Sequence, residues 1–283
     1  MWLTIIGCVD DQSYRRLLLR VRNDRGLDLS AYKKPFVMRR LRSRFRALDI
    51  CSLDEYCIVL RRSPAEYEKL IEALAINVTE FFRDPSLFEF LSSKVINELC
   101  RYKTKPGTKH LRFLCAGGAS GEEAYSIAIS LCETLGRHID EYTISIHSVD
   151  IDDDCIMKTK SGKYTTERVR NVPPDLLEKY FTQEDGNIYV VKPVLKKMVR
   201  TYHMDILTNR IPRHFDVIFC RNLLIYFSKE AHIELFMKFH SAIAVDGFLI
   251  LGRTETLIGV TKGIFEIFNA KERVYRKVTI PIH

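Results

Sequence analysis

The spacing of apolar residues changes character along this chain. Up to residue 75 it is helical. Pro35 opens FVMRRLRSRFRAL, where Phe36, Met38, Leu41, Phe45 and Leu48 recur on an approximate 3.6-residue period. Ser63-Pro64 starts a further helix carrying Tyr67, Leu70, Ile71 and Leu74. The next segment, NVTEFFRDPSLFEFL, reads as a polar turn, two aromatics and a helix begun at Asp84-Pro85, residue types suited to an N-cap and the first helical position. Beyond a loop at 104–109, short apolar runs alternate with helical spacing. Strands are predicted at 111–115, 143–149, 215–220 and 248–252, with helices at 122–135, from about 153, and at 229–243. Repeated β-α-β units predict a parallel sheet with helices on both faces. Between 161 and 204 the alternation breaks. There 189–192 and 198–202 read as short strands joined through Pro193, a small antiparallel β insertion. The segment 264–277 suits an antiparallel hairpin closing one sheet edge. The expected organisation is a small all-α domain over 1–75 and an α/β domain over 76–283, with the insertion at about 161–204.

Composition narrows the class. The chain has 283 residues, 46% hydrophobic and 28% charged, which suits an ordinary globular protein with one large and one small domain. No apolar run approaches the roughly 18 residues of a membrane span. The first nine residues, MWLTIIGCV, are apolar but lack a basic flank and run into Asp10 and Asp11. They read as a buried or docking segment and not as a secretion signal. Eight cysteines are scattered singly without a CxxC, as expected of reduced core thiols in a cytoplasmic protein. None of the eight histidines stands in a zinc-binding arrangement and there is no GxSxG elbow, so neither a metal site nor a hydrolase triad is expected.

Charge is uneven. Between residues 12 and 48 there are 12 Lys and Arg against 2 Asp, more positive than the +8 of the whole chain. Arg39, Arg42 and Arg46 fall on one face of the helix opened by Pro35, at i, i+3 and i+7. Such a basic stripe implies an acidic partner: nucleic acid, an anionic membrane or an acidic protein surface.

Candidate chemistry centres on RFLCAGGASGEEAYSIAI, a strand, a glycine-rich turn and the start of a helix. Gly117, Gly118 and Gly121 let the backbone approach a ligand closely. Glu122 and Glu123 follow where a phosphate-binding loop would carry Lys or backbone donors, which argues against pyrophosphate and for ribose hydroxyls or a cation. A nucleoside with a positive sulfonium, S-adenosylmethionine, satisfies both. Asp150 ends the next strand, where doubly wound folds place an acid that accepts from ribose; a helix N-cap is its alternative role. FDVIFCRNLLIYF ends a strand with Arg221 and Asn222 and then offers Tyr226, so these residues face the ligand end of the sheet. The Asp/Asn-Pro-Pro-aromatic tetrad of nucleic-acid amino methylases is absent, which weighs against a nucleic-acid substrate.

Four blocks, INVTEFFRD, AGGASGEEAYSIAI, VDIDDDCIMKTKSGKY and FDVIFCRNLLIYF, with weaker support from GRTETL, make the chain resemble the CheR-type chemotaxis receptor methyltransferases from about residue 12 to residue 277. The resemblance implies a Rossmann-like S-adenosylmethionine-dependent methyltransferase domain with a small antiparallel β insertion, preceded by a small all-α domain. It implies methyl transfer from S-adenosylmethionine to chemoreceptor glutamates, forming γ-glutamyl methyl esters and leaving S-adenosylhomocysteine. By motif, Asn77, Thr79 and Arg83 would close over the cofactor. Gly117 and Glu123 would line its methionine and ribose region, Asp150 would hold the ribose, and Asp205 and Ile206 would flank the adenine. Arg221 and Asn222 would lie next to the methyl group. Arg83 and Tyr226 are the expected catalytic pair at the reacting carboxylate, against alternative roles as an ion-pair partner of Asp84 or Glu80 and as a core aromatic beside Phe227. Two departures stand out. The family often has Asn where this chain has Asp205, and the loop 182–187 in the insertion is short, which favours receptor recognition independent of a C-terminal tail.

A glutamate is already ionised at neutral pH, so the lack of a catalytic His or Cys fits this chemistry. The expected partner of Arg39, Arg42 and Arg46 is then the Glu-rich cytoplasmic bundle of a chemoreceptor. The expected protein is a cytoplasmic monomer recruited to receptor arrays, binding no nucleic acid and not inserting into the membrane. The competing readings are a non-catalytic S-adenosylmethionine sensor docking on a signalling protein and a nucleic-acid methyltransferase using the basic front end.

Overall fold

The computed structural model describes residues 10–75, 78–103, 109–184 and 186–278, so the apolar segment 1–9 lies outside the described residues. By packing, the chain forms two units. One comprises the described residues up to 75 together with Leu207–Asn209 and Tyr226–His232; the other holds the remainder.

The helical unit is built from α1 (Asp11–Arg25), α2 (Lys34–Leu48), α3 (Leu53–Arg62) and α4 (Pro64–Leu74). Asp10 caps α1 through Gln12 and Ser13 N–H, and Ser52 caps α3 through Glu55 N–H. The apolar face of α2 buries Phe36, Val37, Met38, Leu41 and Phe45, and the helix packs against α4. Its arginines divide by face. Arg44 grips the buried Glu66 through two nitrogens at 2.8 and 2.9 Å, and Tyr56 Oη adds a third bond at 2.9 Å. A buried carboxylate needs such partners, so Arg44 is structural. Arg39, Arg42 and Arg46 are exposed.

In the larger unit, α5 (Pro85–Phe90) runs through a π turn at Leu91–Val95 into α6 (Ile96–Tyr102). The strands follow as β1 (His110–Ala116), β2 (Thr143–Asp150), β3 (Lys163–Thr165), β4 (Phe181–Gln183), β5 (Ile188–Val191), β6 (Val199–His203), β7 (Phe215–Cys220), β8 (Ile243–Leu251), β9 (Phe265–Asn269) and β10 (Val274–Lys277). Helix α7 (Glu122–Leu135) connects β1 to β2, and α8 (Asp153–Ser161) follows β2. Then come α9 (Thr166–Val169) and α10 (Pro174–Tyr180) between β3 and β4, α11 (Pro193–Lys196) before β6, and α12 (Lys229–Ala242) before β8. The main sheet is ordered β6-β2-β1-β7-β8-β10-β9, parallel from β6 to β8 and antiparallel through β10 and β9. All six residues of β7 are buried, as a central parallel strand covered on both faces requires. The closing hairpin lies where 264–277 predicts it.

A second sheet, β3-β5-β4, is antiparallel and forms the insertion. It is smaller than the span 161–204 predicts. Residues 198–202 do not pair within it: β6 runs parallel to β2 at the edge of the main sheet, and Pro193 begins α11 instead of joining two strands. A short strand of mixed polarity reads alike in a hairpin and at a sheet edge, and its partner β2 is some fifty residues away.

Strand β1 lies between β2 and β7, so the connections leaving it run in opposite directions. That reversal opens a crevice at the carboxyl ends of the strands.

Candidate active site

The turn after β1 lies at this crevice. Gly117 sits at φ 72°, and a Cβ on Gly118 would lie 2.0 Å from Ser148 Oγ on β2, so only glycine lets the turn pack this close. The N–H groups of Gly117 and Gly118 donate to Val149 O, and Ala119 N–H donates to Asp150 Oδ2 at 2.9 Å. Asp150 Oδ1 accepts from Asp152 N–H at 3.1 Å. The cap of α8 is Asp152, which accepts from Asp154 N–H at 2.9 Å, so Asp150 is not that cap. Burial pushes the Asp150 carboxyl above its ordinary range, with the backbone donors opposing. Such a carboxylate gains from further hydroxyl donors. Met204 N–H donates to Asp150 O at 2.8 Å, which brings Asp205 and the buried Ile206 to the same end of the sheet.

The two acids after the glycine turn separate in role. Glu122 is fully buried, accepts from Ser120 Oγ at 2.7 Å and meets Arg168 at 3.4 Å. Glu123 pairs with Arg221. The Arg221 side chain is 2% exposed; its Nη1 donates to Glu123 Oε2 at 3.0 Å, and Nη2 donates to Asp84 Oδ2 at 2.5 Å and to Arg83 O at 2.8 Å. Burial raises the Glu123 pKa, with Arg221 opposing. The other oxygen of Asp84 takes Arg253 Nε at 2.7 Å. Asp84 therefore does not cap α5 through its side chain, contrary to the Asp84-Pro85 signature: two guanidinium groups draw its carboxylate away from the helix end.

Phe82 (φ 51°) and Asp84 (φ 64°) flank Arg83 in left-handed backbone. This conformation costs a non-glycine residue about 1–2 kcal/mol and persists where surrounding contacts impose it. Here the contacts are Arg221 on Arg83 O and on Asp84, and Ser126 Oγ accepting from Phe82 N–H at 2.9 Å. Arg83 itself donates to Val78 O at 3.1 Å and forms no salt bridge among the described residues with either Asp84 or Glu80. Thr79 lies on the same segment, its carbonyl accepting from Arg168 at 3.0 Å.

Asn222 turns the chain out of β7 at φ 57°. Glu255, 3% exposed, fixes this turn: its carboxylate accepts from the N–H groups of Asn222 (2.9 Å), Leu224 (2.8 Å) and Gly252 (2.8 Å). Asn222 Oδ1 and Arg221 Nε are buried with no partner among the described residues, a cost that a ligand at this end of the sheet would relieve.

Tyr226 belongs to the helical unit. Its ring lies 4.9 Å from that of Phe36, and its carbonyl accepts from Lys33 N–H at 2.9 Å. Phe227 turns its ring to Tyr32, edge-on at 4.9 Å. Asn77 lies outside the described residues. Sequence reasoning missed Glu255, Arg168 and the clamping role of Asp84. For Glu255 a signal existed: an acid just past the end of β8 is the kind of position that singled out Asp150.

These groups fit S-adenosylmethionine: a glycine turn that a Cβ would block, a desolvated carboxylate for ribose, apolar Ile206, and two orphaned polar atoms. Residues 77–274 match the family described as CheR methyltransferase, SAM binding domain, and residues 12–75 match CheR methyltransferase, all-alpha domain. The chain is 32% identical over 248 residues to a chemotaxis protein methyltransferase of Borreliella burgdorferi, covering 86% of this chain and 88% of the relative. It is 31% identical over 255 residues to chemotaxis protein methyltransferase 2 of Pseudomonas aeruginosa (88% and 87%). To the chemotaxis protein methyltransferase of Salmonella typhimurium it is 29% identical over 261 residues (90% and 87%).

Proposed function

The chain belongs to the family of CheR methyltransferases, and on that premise we propose how its residues methylate chemoreceptors. It is an S-adenosylmethionine-dependent protein-glutamate O-methyltransferase, acting on glutamate side chains of chemoreceptors. When bound, the cofactor supplies a methyl group activated by the sulfonium. Asp150 holds its ribose, Gly117 and Glu123 line the methionine side, Asp205 and Ile206 flank the adenine, and Arg221 and Asn222 lie next to the methyl. Asn77, Thr79 and Arg83 close from the linker.

The observation that carries the assignment of roles is the clamp of Arg221 on Glu123, Asp84 and Arg83 O. The carboxylates of Glu123 and Asp84 are already offset by Arg221 and Arg253, which leaves Arg83 to attract an incoming carboxylate. The substrate glutamate has an ordinary pKa near 4.3 and attacks as the anion, so no base is needed. Arg83 steers it without a bidentate grip that would quench it, and Tyr226 donates a hydrogen bond. In-line positioning of this kind can lower a barrier by roughly 7–11 kcal/mol.

The receptor is met by α2. Four of the five arginines of α1, Arg16, Arg20, Arg22 and Arg25, are in ion pairs and only Arg15 is not, whereas Arg39, Arg42 and Arg46 form none among the described residues. That difference supports α2 as the docking helix for an acidic receptor bundle. The short connection from Gln183 to Ile188 supports recognition that needs no receptor tail. No described helix is long and apolar enough to cross a membrane; the protein works as a cytoplasmic monomer recruited to receptor arrays.

The test is transfer of labelled methyl from S-adenosylmethionine to a chemoreceptor cytoplasmic fragment. The expected product is alkali-labile label that is lost when Arg83→Ala or Tyr226→Phe is introduced. Tight cofactor binding with no transfer to any receptor fragment would instead indicate a sensor.

A further inference from the structure

A cleft of about 410 Å³ opens beside the linker, lined by Val78, Thr79, Glu80, Arg83, Glu167, Arg168 and Arg170. Its walls are the segment carrying Arg83 on one side and the first helix of the insertion, α9, with Arg170 on the other. Neither the glycine turn nor Asp150 nor Arg221 lines it, so it shares only Thr79 and Arg83 with the residues assigned to the cofactor.

Its charge is unevenly used. Arg168 is anchored, donating to Thr79 O at 3.0 Å and pairing with the buried Glu122 at 3.4 Å. Glu80 accepts from Asn171 Nδ2 at 2.9 Å. Arg170 is 64% exposed and touches Glu80 only at 3.9 Å. Guanidinium groups outnumber carboxylates on the walls, even with Glu167 at the rim. Arg83 has one hydrogen bond to a carbonyl and Arg170 one loose ion pair, so both have donors left for an anion. Val78, 73% exposed, adds an apolar patch to the lip.

We propose that this cleft is a recognition subsite for a second carboxylate of the protein substrate, an acidic side chain near the glutamate being methylated, with Arg170 as its contact. The inference rests on the methyltransferase reading above. An acidic segment entering the crevice places one carboxylate at Arg83 and a neighbour against Arg170. Arg168 fixes the distance between the two by tying α9 to Thr79. The partner class is therefore an acidic helical protein surface with more than one carboxylate on the contacting face. A substrate offering a lone glutamate is methylated with a higher KM.

The experiment compares wild type with Arg170→Glu and Arg170→Gln, measuring methylation kinetics on a receptor cytoplasmic fragment and calorimetric binding of S-adenosylhomocysteine. Reversal of an exposed charge contact is expected to raise the KM for the fragment about three- to tenfold, with the Gln variant intermediate. The kcat and the S-adenosylhomocysteine affinity stay as in wild type. Fragments with flanking glutamates changed singly to lysine should include one on which Arg170→Glu regains the lower KM. Equal kinetics for all variants would overturn the subsite, as would a loss of S-adenosylhomocysteine affinity, which would give the cleft to the cofactor. Absence of transfer by wild type, with S-adenosylhomocysteine still bound, would instead overturn the methyltransferase reading and the subsite with it.

Discussion

A guanidinium whose two terminal nitrogens are engaged by protein acceptors is held in place by the protein, and of its donors Arg221 leaves Nε without a partner among the described residues. Arg221 is therefore a group that shapes the site, holding the left-handed turn of Phe82 and Asp84 and so the place of Arg83. Removing one partner of a buried pair leaves the other charge uncompensated, which costs about 3–5 kcal/mol. Arg221→Met is expected to lose that much in urea unfolding, and Glu123→Gln on top of it should restore part, because the orphaned charge is then gone. Asp150 behaves differently. Its pKa is raised by burial from an ordinary value near 3.8, so its ionised form costs the empty protein stability at neutral pH. That cost disappears as pH falls through the raised value. As the proposed ribose acceptor, Asp150 must be ionised, so S-adenosylhomocysteine affinity should fall over the same window, above the range of an ordinary aspartate. Melting curves with and without the ligand between about pH 4 and 7 check both slopes. Asp150→Asn should remove this pH dependence and weaken binding about 10- to 100-fold, the worth of hydrogen bonds to a charged group. Asp150 and Arg221 were legible in the sequence because strand ends of an α/β sheet announce themselves. Asp84 was not, since Asp-Pro reads as a helix start wherever it occurs. Glu255 and Arg168 act through backbone groups far along the chain, which no local pattern encodes.

At the scale of elements, α2 has two faces, a buried apolar one and an exposed basic one proposed to dock the receptor. The apolar face was legible from its period, and so was the stripe of Arg39, Arg42 and Arg46. What the sequence could not tell was that Arg44, two residues from Arg42 and from Arg46 and turned to the other side of the helix, is bound to Glu66 of α4. Reversing the three stripe residues to Glu should slow receptor methylation about tenfold at low ionic strength, an effect that shrinks as salt shortens the Debye length to about 8 Å near physiological strength. S-adenosylhomocysteine affinity should not move; a matching loss of both would mark the stripe as structural. The central strands were legible because parallel strands buried on both faces are continuous apolar runs. Strand β6 was not, because its assignment depends on pairing with β2 and not on its own residues.

Across the whole molecule, the division into a helical front and an α/β remainder was legible near residue 75, where the period changes. The returns of the chain to the helical unit at Leu207–Asn209 and Tyr226–His232 were not, since they are too short to carry a period of their own. A fragment of residues 77–283 should bind a hydrophobic dye such as ANS and melt well below the intact protein, because it bares Phe227 and loses the bonds from Lys33 N–H to Tyr226 O and from Ser228 N–H to Ala31 O.

The aromatic contacts of Tyr32 and Phe36 with Phe227 and Tyr226 also limit how this protein can be recombined. A docking module from another receptor system cannot be grafted by a single junction. Its equivalents of Tyr32 and Phe36 must suit the resident Tyr226 and Phe227, so the proposed docking helix and the setting of the tyrosine proposed to meet the substrate are inherited together.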